Sequence, residues 1–130
     1  MLWRATLAWQ RAVRAALAPH DLTHVQFVLL ASLWWLGSTR DAPPSQRELA
    51  EHAGTDPMMT SQVLRKLEAR GLVSRDAHPT DARARTLALT AEGERVLAPA
   101  LRDVEAADAG YFAALGDDGD RFLDLLARLV

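Results

Sequence analysis

Between Asp56 and Leu89 the chain gathers side chains suited to holding a polyanion and to reading it. Projected at about 100° per residue, the segment 58–70 puts Thr60, Val63, Leu64 and Leu67 on one face and Met58, Ser61, Gln62, Arg65, Lys66 and Ala69 on the other. The second set is short and polar at its N-terminal end and basic further along. Hydroxyl and amide groups so placed can reach base edges while the cations meet phosphates. Gln62 suits a bidentate pair with adenine, and Arg65 one with guanine. Downstream, Arg83 stands near the tip of the polar stretch Ala77-His78-Pro79-Thr80-Asp81-Ala82-Arg83-Ala84-Arg85, from which an extended side chain can enter a minor groove. Asp81 is out of keeping with a phosphate contact, so its expected role is to pair with Arg75 and brace this stretch.

Other chemistries find no support. Without cysteine there is no disulfide, thiolate metal site or thiol nucleophile. No nucleophile stands beside a base and no glycine-rich phosphate loop occurs, so no enzymatic activity is expected. His20 and His24 are four apart, but Pro19 and Asp21 argue against a continuous helix through them, and His52 and His78 belong to other elements. Neither a metal nor another cofactor is expected. The 130 residues, 49% apolar and 25% charged, suit one domain. No run reaches the roughly 18–20 uncharged apolar residues of a membrane span, and Arg4, Arg11 and Arg14 interrupt any signal-peptide core. No membrane partner is expected, and a cytoplasmic location is. The net charge of −2 hides a gradient: zero over residues 1–56, +3 over 57–89 and −5 over 90–130. A basic middle between neutral and acidic flanks fits a polyanion-binding module on a solvated helical scaffold.

The elements that must position these groups are legible from caps and periodicity. Leu2, Ala5, Trp9, Val13, Ala16 and Leu17 predict a helix over 2–18, stopped at Pro19. Thr23 and Gln26 form a capping box for a second helix that is apolar on nearly every side and is expected to end at Gly37. Ser45 and Glu48 form another box, opening a short helix that ends near Gly54. Asp56 caps the next, with Pro57 at its first position and Gly71 at its end. Two helices about a glycine turn read as a helix-turn-helix. Strands expected at 72–75 and 85–89, separated by the polar segment 76–84, make it a winged one. Thr90 caps a long helix with the stripe Leu97, Leu101, Val104, Ala107, Tyr111 and Leu115, in which Pro99 is a candidate kink. Gly116-Asp117-Asp118-Gly119 interrupts it, and Phe122, Leu125, Leu126 and Leu129 mark a last amphipathic helix.

The run from Ser45 through Gly93 resembles the MarR family of winged-helix transcriptional regulators. The resemblance rests on Ser45-Gln46-Arg47-Glu48-Leu49-Ala50, on Met59 through Val73, on Arg75, on Asp81-x-Arg83, and on Leu87-x-Leu89-Thr90-x-x-Gly93. It implies a mainly α fold with a small β-hairpin wing (α+β). Within one domain spanning 1–130, the winged helix-turn-helix occupies 42–90, and 1–36 with 91–130 form the helical dimerisation region. It also implies a homodimer on double-stranded DNA, with each reading helix in a major groove and each wing arginine in a minor groove. DNA-facing candidates are Ser45, Gln46, Met58, Ser61, Gln62, Arg65, Lys66, Arg83 and Arg85, with Arg75 and Asp81 as the wing brace. Many relatives carry two adjacent arginines after the wing aspartate. Here the first is Ala82, which leaves Arg83 and Arg85 both open as the groove-entering residue.

Leu2, Leu101, Tyr111, Leu115, Phe122, Leu125, Leu126 and Leu129 are more apolar surface than the terminal helices of a small monomer would cover, and are the expected dimer interface. A twofold dimer matches a pseudo-palindromic site with half-sites about 34–36 Å apart. Family members commonly bind small aromatic or anionic molecules between the dimerisation helices and the winged helix. The candidates for such a pocket here are Trp9, Arg14, His24, Phe27, Trp34 and Trp35. The function expected is a dimeric, sequence-specific, DNA-binding regulator, a repressor answering to a small effector. The competing reading is a winged helix that has abandoned DNA for a protein partner; the retained Arg65, Lys66, Arg83 and Arg85 count against it.

Overall fold

The computed structural model describes residues 1–130, and four of its six α-helices begin where a side chain satisfies a free N–H group. In order they are α1 (Leu2–Leu17), followed by a 3-10 turn at Ala18–His20, then α2 (His24–Thr39), α3 (Gln46–Ala53) and α4 (Pro57–Ala69). The hairpin β1 (Val73–Ala77) and β2 (Arg85–Leu89) precedes α5 (Ala91–Phe112) and α6 (Gly119–Ala127). Both expected capping boxes form, Thr23 with Gln26 and Ser45 with Glu48. Asp56 accepts from the Met59 N–H at 2.9 Å, and Thr90 from the Gly93 N–H at 3.0 Å.

The core assembles around α2, whose Phe27, Leu29, Leu30, Leu33 and Leu36 are buried. Val13 and Leu17 of α1, Leu49 of α3, Leu64 and Leu67 of α4, and Leu97, Ala100 and Val104 of α5 close over it. Leu72, Val73 and Leu87 seal the root of the hairpin into the same cluster. The winged helix is thereby packed on the terminal helices through continuous apolar contact. No helix is long and apolar enough to cross a membrane.

Three boundaries differ from expectation. Helix α2 does not end at Gly37 but continues to Thr39, because the Ser38 and Thr39 hydroxyls donate to the Trp34 and Trp35 carbonyls at 2.7 and 2.8 Å. Strand β1 runs two residues further than expected, since the register Val73↔Leu89 carries Asp76 and Ala77 opposite Thr86 and Arg85. Helix α5 passes unbroken through Pro99 and gives way at Ala113 to a 3-10 turn, in which Gly116 takes a positive φ of 52°. Where the chain enters α5, Gly93 lies against the end of the reading helix. A Cβ there would stand 2.1 Å from the Leu72 carbonyl oxygen, so this crossing admits only glycine.

Candidate nucleic-acid interface

Helix α4 divides as its periodicity predicts. Thr60, Leu64 and Leu67 are buried and Val63 half-buried, while Met58, Gln62, Arg65, Lys66 and Ala69 are exposed and Ser61 is half-buried. Thr60 is tied inward twice, its hydroxyl donating to the Asp56 carbonyl at 2.8 Å and lying 2.6 Å from Thr55 Oγ1. These two contacts fix the rotation of the first turn, and with it the direction of Met58, Ser61 and Gln62. Met58 is 72% exposed, an unusual state for a thioether in a small protein.

The segment that leads into α3 and the hairpin are fastened together. Ser45 forms a bridge with Thr86, and the Leu87 N–H donates to the Pro44 carbonyl at 2.9 Å. Between them lies an open groove of about 1050 Å³, lined by Gln46, Glu51, Arg75, His78, Arg83 and Arg85 among others. Ser45 accepts from the Glu48 N–H at 3.1 Å, so its oxygen already serves the cap. Glu48 in turn accepts from the Ser45 N–H and pairs with Arg40. Those two contacts, the backbone bond first, hold its carboxyl below the usual carboxylate range.

The wing loop is shaped by two side chains. His78 Nδ1 accepts from the Thr80 and Asp81 N–H groups at 3.2 and 3.1 Å, and Asp81 Oδ1 accepts from the Arg83 N–H at 3.0 Å. This corrects the expected brace. Arg75 does not pair with Asp81 but reaches Glu68 of α4, Nε to Oε2 at 3.8 Å, while Asp81 makes a local turn with the residue two further on. His78 was missed by sequence reasoning, although its place three residues before Asp81 is the spacing at which an imidazole can accept from turn amides. Arg83 and Arg85 are exposed.

The terminal helices bring part of the other two residue sets together. Leu2, Tyr111, Leu115, Phe122 and Leu126 line, with Trp9 and Phe112, an apolar cleft of about 560 Å³ between α1 and the α5–α6 corner. Tyr111 donates its hydroxyl to the Ala5 carbonyl at 2.8 Å. Leu125 and Leu129 point outward, 46% and 75% exposed, whereas Leu101 is half-buried against the chain's own core. The six pocket candidates do not form one pocket. Trp9 and His24 meet edge to face, ring centroids 5.2 Å apart, and the Trp9 Nε1–H donates to Asp108 at 2.7 Å. Burial and then the neighbouring Arg14 hold His24 below its ordinary value, opposed by Asp108. Phe27 is core, and Trp34 and Trp35 lie about 15 Å beyond His24 along α2, half exposed. His20 faces Asp103 rather than His24, Nε2 to Oδ2 at 2.6 Å.

A helix-turn-helix presenting an amide-and-cation face, with an arginine-bearing hairpin fastened beside it, defines a winged-helix DNA-binding protein of the transcription-regulator class. A MarR family profile matches residues 22–84. The HTH-type transcriptional regulator YdcH of Bacillus subtilis (strain 168) is 44% identical over 114 residues, covering 88% of this chain and 77% of that protein. The chain belongs to the MarR family of transcriptional regulators. An HTH-type transcriptional repressor of Mycobacterium tuberculosis (strain H37Rv) is 37% identical over 88% of this chain and 79% of its own length. The transcriptional repressor CouR bound to a 23-mer DNA duplex superposes with a TM-score of 0.88 at 32% identity, covering 98% of this chain and 88% of CouR. CouR from Rhodococcus jostii RHA1 has also been solved bound to p-coumaroyl-CoA, with a TM-score of 0.83 and 30% identity over 98% of this chain and 87% of CouR. The mainly helical fold with its two-stranded wing, and the class of DNA-binding transcriptional regulator, agree with the expectation from sequence.

Proposed function

We propose that the chain acts in the cytoplasm as a homodimeric, sequence-specific repressor of transcription. Residues 42–90 engage DNA, and 1–36 with 91–130 join the protomers. Helix α4 of each protomer enters a major groove with Met58, Ser61, Gln62, Arg65 and Lys66, and the wing brings Arg83 and Arg85 to the adjoining minor groove. Ser45 and Gln46 lie at the entry to α3, beside the phosphate track. The observation that carries this reading is that, within residues 42–90, Arg65 and Lys66 of α4 and Arg83 and Arg85 of the wing are exposed and form no ion pair, while Arg47, Arg70 and Arg75 do. Exposed cations without carboxylate partners on the outward face of α4 and on the wing suit release of counterions from DNA.

The exposed Leu125 and Leu129, next to the apolar cleft, support pairing of the protomers through α1, α5 and α6. The cluster of Trp9, Arg14 and His24 is the part of the expected effector pocket that holds together, and the CouR ligand complex supports an effector at the same general level. An aromatic or anionic effector releases DNA only by favouring a dimer geometry that misplaces the reading helices. A nearly complete switch requires about 5.5 kcal/mol of differential affinity.

The test is a fluorescence-anisotropy titration against the DNA flanking the chain's own gene and against duplexes it selects from a randomised library, with random competitor, at two salt concentrations. Tight, competitor-resistant binding is expected. Weak binding that vanishes with salt on every duplex would overturn the reading.

A further inference from the structure

Resting on the reading of α4 as the base-reading helix, we propose that Arg70 is a positioning residue for operator recognition, setting the angle at which α4 projects from the scaffold. Arg70 caps the C-terminus of α4, and its N–H closes the last turn on the Lys66 carbonyl at 3.1 Å. Its side chain turns back toward the α1–α2 corner, 49 residues earlier in the chain. Nη1 donates to the Asp21 carbonyl at 2.8 Å and approaches Gln26 Oε1 at 3.5 Å. Nη2 lies 3.8 Å from the Asp21 carboxylate, which is 99% exposed and so adds little. The holding contact is the backbone carbonyl.

Both acceptors belong to fixed points. Asp21 takes a left-handed φ of 51°, with its N–H donating to the Ala18 carbonyl at 3.1 Å. Such a conformation in a residue other than glycine persists where its surroundings over-determine it. Gln26 Oε1 is also the oxygen that accepts from the Thr23 N–H in the capping box of α2, at 3.0 Å. The corner is anchored in turn to α5, where His20 meets Asp103. On its other side the end of α4 is gripped by the start of α5. Thr90 Oγ1 donates to the Gly71 carbonyl at 2.6 Å, and the Thr90 N–H to the Leu72 carbonyl at 3.1 Å. Arg70 therefore completes a two-sided clamp at the base of the reading helix, one jaw on α5 and one on the α1–α2 corner.

The lever is long enough to matter. Thirteen residues make a rod of about 20 Å, so a tilt of about 5° at the Arg70 end moves the Met58 end by about 1.7 Å. That displacement exceeds the tolerance of a bidentate base contact. In a dimer both half-sites must fit at once, so the angle enters twice. Direct contact of Arg70 with DNA would give a different signature, a phosphate contact with no sequence preference.

The test compares wild type with Arg70→Met, which keeps the stem and removes the donors, Arg70→Lys, which restores one donor, and Asp21→Asn, which keeps the carbonyl. Each is titrated with a duplex selected by wild type from a randomised library, with a scrambled duplex of equal length, and with half-site spacings changed by one base pair. Arg70→Met should lose at least ten-fold in affinity for the selected duplex and discriminate less between spacings. Its affinity for the scrambled duplex and its salt slope should be unchanged. Arg70→Lys should recover most of the loss, and Asp21→Asn should stay within two-fold of wild type. Equal losses on both duplexes with a salt slope lower by about one would make Arg70 a phosphate ligand and overturn the proposal. Unchanged specific affinity in Arg70→Met would overturn it too, and a loss in Asp21→Asn equal to that in Arg70→Met would transfer the hold to the carboxylate and refute the carbonyl clamp. Should Arg70→Met fail to fold by circular dichroism, Arg70→Gln, whose shorter side chain stops short of the Asp21 carbonyl, takes its place with the same expected loss and the same refuting results. If wild type itself shows no preference for any duplex, the reading of the helix fails before the variants are compared.

Discussion

Gly93→Ala tests the clamp at the base of the wing by volume alone. Its new methyl group would sit 2.1 Å from the Leu72 oxygen and 3.0 Å from the Leu72 carbonyl carbon. A comfortable contact needs more than about 3 Å, so α5 and the Gly71–Leu72 turn must separate by roughly 1 Å. Leu72 is 3% exposed and cannot retreat, and the Thr90 N–H bond to its carbonyl would be lost or stretched. Overpacking of this kind costs about 1–3 kcal/mol and a weakened hydrogen bond about 1 more, offset by up to about 1 from better helix propensity. A net loss of about 2–3 kcal/mol would lower Tm by roughly 10 °C. The assay is denaturant unfolding followed by tryptophan fluorescence at fixed protein concentration, since a dimer's midpoint depends on it. Gly37→Ala is the internal control. It lies inside α2 with nothing within 4 Å of its Cβ position, and should stabilise by up to about 1 kcal/mol. An unchanged midpoint for Gly93→Ala would refute the packing account, and destabilisation by Gly37→Ala would mean that α2 ends earlier than Thr39.

Arg83→Ala should weaken DNA binding at least ten-fold with no change in Tm; unchanged affinity counts against docking of the wing. Asp81→Ala should also weaken binding, although it removes a negative charge, because the Arg83 N–H loses its acceptor, whereas Asp81→Asn should retain affinity. Tighter binding by Asp81→Ala would reduce Asp81 to a repulsive surface charge. His24 titrates below its ordinary 6.5 in the folded chain, so the unfolded chain takes up the proton first. The stability this represents is full above pH 6.5 and is lost as pH falls toward the folded value, so the denaturation midpoint should drop from about pH 7.5 to about 5.5, and drop less in His24→Gln. Identical pH profiles for the two proteins would remove His24 as the cause. Joint Leu125→Asp and Leu129→Asp substitution should yield a monomer by sedimentation that has lost specific binding; a dimer that persists would move the interface elsewhere.

Features settled within a few residues are legible in the sequence. Thr23, Ser45, Asp56 and Thr90 each begin a helix because the oxygen that accepts the free N–H lies within three residues of it in the chain. The reading face of α4 follows from helical period, which sends Leu64 and Leu67 inward and Gln62, Arg65 and Lys66 outward whatever lies beneath. Gly37 misled because a glycine near a helix end usually closes it, and the hydroxyls of Ser38 and Thr39 that prolong α2 compete on nearly equal terms.

Choices among distant partners belong to the folded molecule. Arg75 has several carboxylates to choose from, and only the docking of β1 against α4 brings Glu68 to it while Asp81 closes on its own loop. The aromatic residues of α2 share a helix, but about 15 Å of helix separates His24 from Trp34, so one pocket cannot hold both. The type of Gly93 is visible in the sequence, yet its reason is a carbonyl 21 residues earlier that only the crossing of α5 makes a neighbour. Where helices start, which face of α4 is outward and where the basic charge collects are written in the chain, because they depend on local hydrogen bonds and period. Which charges remain unpaired, which glycine is a contact and which arginine holds the reading helix arise only on folding, because they depend on which distant segments packing brings within reach.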